Sequence, residues 1–195
     1  MHYLLTVIAD LLAAGAVVTF IGTRRIERAH PPRGRFVDVD GLRQHVVELG
    51  ANAGTQNDAP PIVLIHGAGC NLEDMRLALG ERLAARHRVI LIDRAGLGWS
   101  ERKGRRGSSP AYQAALLREV LDRLDVPRAI VVGHSWGGAL AVAFALDQPG
   151  RTAGLVLLAP PLYPFPRGML WLYRFLAIPF VGWLLAHTLT LPFGA

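Results

Sequence analysis

The chain of 195 residues is long enough for one domain and leaves little room for a second. Its formal charge of +6 comes from arginines scattered over predicted helices and loops, with no basic stripe interleaved with aromatics, which argues against a nucleic-acid-binding module. Apolar residues make up 51% of the sequence and gather at its two ends; the single cysteine, Cys70, rules out an intrachain disulfide, no Cys/His spacing suits a metal, and no cofactor is implied.

The first element is the apolar run Tyr3 to Gly22, about the length a helix needs to cross the hydrocarbon core. Arg24, Arg25 and Arg28 follow it and no Lys or Arg precedes it. Positive charge on that side predicts a single-pass anchor with the remainder in the cytoplasm. Asp10 is the cost, about 2.5–3.5 kcal/mol at a helix centre, offset by the surrounding Leu, Ile, Val and Phe. A cleaved signal is the rival, because Ala14-Gly15-Ala16 resembles a cleavage site, yet a basic leader is missing and the apolar run continues beyond it. A soluble amphipathic helix is the third option.

After a Pro-containing linker, Arg35 to Leu49 reads as two strands, with Asp40-Gly41 as the two-residue hairpin turn. Residues 51–61 form a loop. Ile62–Ile65 is a short apolar strand of the kind buried on both faces. Asn71 caps a helix reaching Arg86, with Glu73 and Asp74 in its first turn. Val89–Ile92 is the next buried strand, and Ser109 with Pro110 opens a helix whose stripe is Leu116, Leu117, Val120, Leu121 and Leu124. A strand at Ala129–Val132, a helix from Trp136 to Leu146 and a strand at Leu155–Leu158 complete the alternation. This pattern predicts an α/β fold with a doubly wound, mostly parallel sheet, whose ligands bind at the C-terminal strand ends.

Three motifs fall at such ends. Gly133-His134-Ser135-Trp136-Gly137, followed by Gly138, lies between strand and helix. A turn there must be sharp, and Gly133 and Gly137 permit the close approach that throws the Ser135 hydroxyl out above the sheet. Ser135 then stands at a helix N-terminus, with the Trp136 N–H facing the place where an oxyanion would form. The bland alternative is a glycine-rich turn with an incidental serine. His66-Gly67-Ala68-Gly69 ends the Ile62–Ile65 strand; Gly67 and Gly69 let the backbone bend so that the Ala68 N–H becomes a second oxyanion donor. His66 itself reads as a structural residue holding the loop. Asp93-Arg94-Ala95-Gly96-Leu97-Gly98-Trp99-Ser100 ends the Val89–Ile92 strand as a pocket-lining turn, with Asp93 ordering its neighbours, and His134 reads as packing support beside the serine. Cys70 has no acid–base partner.

Together, in this order and spacing, the three blocks resemble the α/β-hydrolase family, in its branch with an HG-x-G loop, a D-R-x-G-x-G-W-S turn and a GHSWGG elbow. The resemblance covers Arg35 to Pro160. It implies Ser135 as nucleophile and Ala68 and Trp136 as the oxyanion hole; family members often carry Pro and His where this chain has Ala95 and Leu97. Serine at the elbow argues against the relatives that open epoxides or remove halides with an aspartate.

In that family an Asp or Glu and then a His follow the serine. Here the acidic residue that follows is Asp147, about 17 Å along the helix from the elbow, and the histidine is His187, in an apolar tail with no recognisable strand after it. The expectation is therefore a chain that stops before its last strands, nearly inactive as written, since losing the histidine costs about 10⁶ in turnover. The expected organisation is an anchor at 1–24, a linker at 25–34, the hydrolase core at 35–160 and the start of a lid at 161–195. Met169 to Phe193, rich in aromatics and broken by Pro179, reads as short lid helices over a hydrophobic pocket, with a second membrane span as the alternative. The expected activity is hydrolysis of a lipophilic ester or related acyl substrate. Acyl transfer, carbon–carbon hydrolysis, and a hydrolase-like scaffold without turnover are the alternatives.

Overall fold

The computed structural model describes residues 2–50, 59–102, 104–163, 174 and 178–188. They fall into two compact units, one of Pro32–Tyr163 and one combining Met1–Pro31 with Pro164–Ala195.

The larger unit is built on a six-stranded sheet of β1 (Arg35–Val39), β2 (Leu42–Leu49), β3 (Ile62–Ile65), β4 (Val89–Ile92), β5 (Ala129–His134) and β6 (Thr152–Leu158), in the order β1-β2-β4-β3-β5-β6. The β1–β2 and β2–β4 pairs are antiparallel, and the other three are parallel. Asp40 and Gly41 both take positive φ, 53° and 70°, as a two-residue hairpin turn of matching twist requires. All four residues of β3 and of β4 are buried, because helices cover both faces.

Alternation along the strands divides the core between those faces. Val63, Ile65, Ile90, Ile92 and Val131 pack with Leu117, Val120 and Leu121 of α4 (Pro110–Arg123) and with Leu140 and Phe144 of α5 (Trp136–Asp147). Ile62, Leu64, Val89, Leu91 and Val132 pack with Leu72 and Met75 of α2 (Leu72–Met75) on the other side. The chain passes from β3 outward to β4, then back across β3 to β5, so the strand order reverses between β3 and β5. Ligands of open parallel sheets settle above such a reversal.

Several expectations need adjustment. The helix after Asn71 is interrupted: α2 runs into a π turn (Arg76–Gly80) before α3 (Glu81–Ala84), with Gly80 buried close against the Leu91 side chain. Asn71 caps as expected, accepting the Glu73 N–H at 2.9 Å. Ser109 occupies the cap position of α4 in an extended conformation, but its hydroxyl makes no cap bond. Strand β5 continues to His134 because β6 pairs with it as far as Leu158, and β6 starts earlier, at Thr152. Strand β6 is an edge of the sheet, with Leu155 and Val156 exposed.

The smaller unit contains α1 (His2–Ala29) and α6 (Pro179–Thr188). Helix α1 continues past Arg24 and Arg25 to Ala29, so the non-helical linker begins later than residue 25. Its segment Tyr3–Ala29 is long and apolar enough to cross a membrane. Tyr3, Leu4, Leu11, Val17 and Phe20 are exposed along it. Helix α6 packs against α1 so closely that a β-carbon on Gly15 would lie 2.7 Å from the Thr188 carbonyl oxygen. Residues 164–173, 175–177 and 189–195 of the expected lid, with Trp171, Tyr173 and Phe175 among them, lie outside the described residues, as do the side chains of Phe180, Trp183 and His187.

Candidate active site

Ser135 follows the last residue of β5 and precedes the first of α5, with φ 49° and ψ −123°. Left-handed φ in a residue with a β-carbon stores about 1–3 kcal/mol of strain, and the surroundings must hold it there. They do so through the backbone. The Ser135 N–H donates to the Leu158 carbonyl at 2.8 Å, and the Ser135 carbonyl accepts the Gly138 N–H at 2.8 Å. Space is as tight as the sequence suggests. A β-carbon on Gly133 would clash with the Gly137 carbonyl and Gly138, one on Gly137 would lie 2.6 Å from the Ile65 carbonyl oxygen, and one on Gly138 would lie 2.7 Å from Pro160. The Ser135 hydroxyl caps nothing and is partly open to solvent.

Trp136 is the first residue of α5, so its N–H has no intrahelical acceptor. The loop after β3 comes to the same place. A β-carbon on Gly67 would lie 3.3 Å from the Ser135 β-carbon and 3.2 Å from Nδ1 of His134. Ala68 and Gly69 are exposed, Gly69 with φ 71°, and the Ala68 N–H donates to nothing among the described residues. The structure thus brings Ser135, Trp136, Gly67 and Ala68 together above β3 and β5.

His66 is fully buried and bonded at both ring nitrogens. Nε2 accepts the Arg94 N–H at 3.0 Å, so Nδ1 carries the proton and donates to the Gly67 carbonyl at 2.9 Å. Burial, reinforced by the Arg94 cation, pushes its pKa down to about 4. It is neutral and occupied, a loop-holding residue. His134 points toward α2: its Nδ1 is 3.8 Å from an Asp74 oxygen and makes no hydrogen bond. Cys70 is a half-buried free thiol.

Asp93 is 1% exposed and acts as a hub. Its Oδ1 accepts the Leu72 N–H at 2.7 Å, and its Oδ2 accepts the Trp99 N–H at 3.0 Å. Oδ2 also faces Nδ1 of His45 at 2.7 Å. The other His45 nitrogen faces the Arg33 carbonyl. Both partners are acceptors, so His45 is an imidazolium. Burial opposes that charge, but the hydrogen bonds to Asp93 and Arg33 outweigh burial and raise its pKa above the ordinary value. Sequence reasoning missed His45; its one available signal was a titratable residue at an inward position of β2.

Arg94 is a second residue that its motif does not single out. It is 4% exposed, and its guanidinium lies 4.2 Å from the centre of the Trp136 ring. Nε donates to the His66 carbonyl at 2.9 Å, Nη2 to the Gly67 carbonyl at 2.8 Å and Nη1 to Gln113 Oε1 at 3.3 Å. Asp147, at the far end of α5, is exposed and bonded to Gln148, away from this site. No group of three or more metal-ligating side chains occurs among the described residues.

The chain is 37% identical over 145 residues to a 2-hydroxy-6-oxononadienedioate/2-hydroxy-6-oxononatrienedioate hydrolase of Cupriavidus pinatubonensis, covering 68% of this chain and 48% of the relative. It is 35% identical to the dihydrolipoyllysine-residue acetyltransferase component of an acetoin cleaving system of Pseudomonas putida, covering 72% and 36%. Among solved structures, a bacterial membrane phospholipase A superposes with a TM-score of 0.58 at 26% identity, covering 82% of this chain and 52% of that one. The chain spans about half the length or less of the curated relatives it matches. Residues 60–185 match the family described as alpha/beta hydrolase fold, and the chain belongs to that family.

Proposed function

We propose that this chain supplies the nucleophile and oxyanion hole of a hydrolase acting on an ester or related acyl substrate. The observation that supports the reading best is Ser135 itself, held at φ 49° with its hydroxyl uncommitted beside two free amides. In the reaction, Ser135 Oγ forms a bond to the substrate carbonyl carbon and its proton passes to a general base. The carbonyl π electrons move onto oxygen, and the Ala68 and Trp136 N–H groups donate hydrogen bonds to that oxyanion. Collapse re-forms the carbonyl and expels the leaving group, which takes the proton from the base; water then repeats the sequence on the acyl-enzyme. Among the described residues no histidine is hydrogen-bonded to Ser135: the rings of His45 and His66 are fully engaged, and His134 points toward α2. The base and its acid are therefore assigned to neither.

A second reading, carbon–carbon hydrolysis, is favoured by the relative's name. A 2-hydroxy-6-oxo dienedioate has a ketone and carboxylates but no ester, so its hydrolysis must break a carbon–carbon bond next to the ketone. We further propose that α1 anchors the protein in a membrane, with Arg24, Arg25 and Arg28 on the cytoplasmic side, and that the substrate is lipophilic.

The test is a fluorophosphonate probe on the full-length protein in detergent. Labelling that Ser135→Ala abolishes supports the nucleophile, whereas no labelling returns the weight to a non-catalytic binding scaffold. Turnover of p-nitrophenyl esters against 2-hydroxy-6-oxo dienoates then separates the two chemistries. Alkaline carbonate extraction tests the anchor; release of the protein into the supernatant would overturn it.

A further inference from the structure

Arg94 is a buried cation with no carboxylate partner among the described residues, and the Cys70 thiol is the group whose charge would favour its own. Among the described residues no carboxylate lies within 4 Å of its guanidinium. The cavity beside it, lined by Gln44, Gln113 and Leu140 among others, measures about 10 Å³, at the lower limit for one water and too small for a counter-ion. A buried charge of this kind is costly unless something needs it.

Its contacts indicate what that is. Nη2 of Arg94 and Nδ1 of His66 both donate to the Gly67 carbonyl, filling both lone pairs. The Gly67–Ala68 peptide is trans, so the Ala68 N–H points opposite to that carbonyl. Fixing the carbonyl toward Arg94 fixes the N–H away from it. A cation on the carbonyl end also polarises the peptide and strengthens its N–H as a donor. The same guanidinium packs on the indole of Trp136, the residue that carries the other free amide.

We propose that Arg94 is a positioning residue for the oxyanion hole: it orients and polarises the Gly67–Ala68 peptide and braces Trp136, so that both amides meet the developing charge. This rests on the reading of Ala68 and Trp136 as oxyanion donors. Arg94 acts through them and touches no substrate. The geometry requires two parallel donors on one planar group, which lysine lacks.

The experiment compares Arg94→Met and Arg94→Lys with the parent, using the p-nitrophenyl and thiono esters of one short acyl chain. Removing one oxyanion donor costs about 10²–10³ in kcat. Arg94→Met should lose about that much on the oxo-ester with KM unchanged, because the contact matters only in the transition state. The thiono ester, whose sulfur uses the hole poorly, should lose much less, and Arg94→Lys should recover only part. An equal loss on both esters, or a folded Arg94→Met within twofold of the parent on the oxo-ester, overturns the proposal. Should both variants fail to fold, Gln113→Met frees one end of the guanidinium and should cost about tenfold on the oxo-ester alone; no loss there overturns it. Ala68→Pro and Ser135→Ala report on the underlying reading. If those two keep full activity, the reading itself fails. If they lose activity while Arg94→Met does not, only the role of Arg94 fails.

Discussion

The Ser135 N–H donates to the Leu158 carbonyl, so edge strand β6 reaches past the end of β5 and clamps the nucleophile turn. This bond helps hold Ser135 at φ 49° and ψ −123°, where a β-carbon is strained. Ser135→Gly should remove about 1–3 kcal/mol of strain and add back about 0.5–1 kcal/mol of glycine entropy. The net gain of about 1 kcal/mol should raise Tm by about 4 °C. Ser135→Ala keeps the β-carbon and should gain nothing. Calorimetry on both variants separates strain from loss of the hydroxyl; equal Tm for glycine and alanine would show that the turn is unstrained.

Gly137 makes the complementary case, since there the obstacle is space. A β-carbon would be pressed against the carbonyls of Ile65 and His66, and β3 is buried on both faces and cannot retreat. Gly137→Ala should cost about 3 kcal/mol, at the upper end for overpacking. Gly150→Ala is the control, because nothing lies within 4 Å of its β-carbon position; it should stay within about 0.5 kcal/mol of the parent in urea unfolding.

The parts of the molecule legible in the sequence are those governed by local steric demand. Asp40-Gly41, the apolar runs of β3 and β4 and the glycines around Ser135 each force one backbone solution, and each is found. Motif spacing also put Ser135 and Trp136 at the strand-to-helix turn and Ala68 in the loop after β3, where the structure has them. What stayed illegible was long-range pairing. His45 and Asp93 are 48 residues apart and Arg94 and His66 are 28 apart, so nothing in either neighbourhood announces the partner. The π turn at Arg76–Gly80 escaped for a related reason, because the helical stripe persists through it while Gly80 seats against Leu91 from a different element.

The Asp93 hub gives a further test. Its two oxygens receive the Leu72 N–H, the Trp99 N–H and the His45 ring, so every partner is a donor. Asparagine would turn an NH2 group toward one of these donors and leave the His45 imidazolium uncompensated. Asp93→Asn should therefore cost about 3–5 kcal/mol, the usual loss when one member of a buried pair is removed. Urea unfolding at neutral pH measures it. His45→Gln, which removes the cation as well, should restore part of the loss when combined with Asp93→Asn; strict additivity of the two changes would rule out the coupling.

His66 and His45 impose opposite pH dependences on stability. The folded pKa of His66 is depressed to about 4, below the ordinary 6.5, because burial and the Arg94 cation disfavour its charge. Below pH 6.5 the unfolded chain binds a proton that the folded chain refuses, so stability falls between pH 6.5 and about 4. The full loss is about 3 kcal/mol. The folded pKa of His45 is raised, because its bonds to Asp93 and Arg33 outweigh burial. Its contribution is complete below the unfolded value and fades as pH rises through the folded one. The two together place the stability maximum near neutrality. Urea unfolding across this range should show the acid limb flattened in His66→Gln and the alkaline limb flattened in His45→Gln. A His66 ring that titrates near 6.5 by NMR would remove the acid limb's explanation, because a freely protonated ring could not keep Nε2 as the acceptor of the Arg94 N–H.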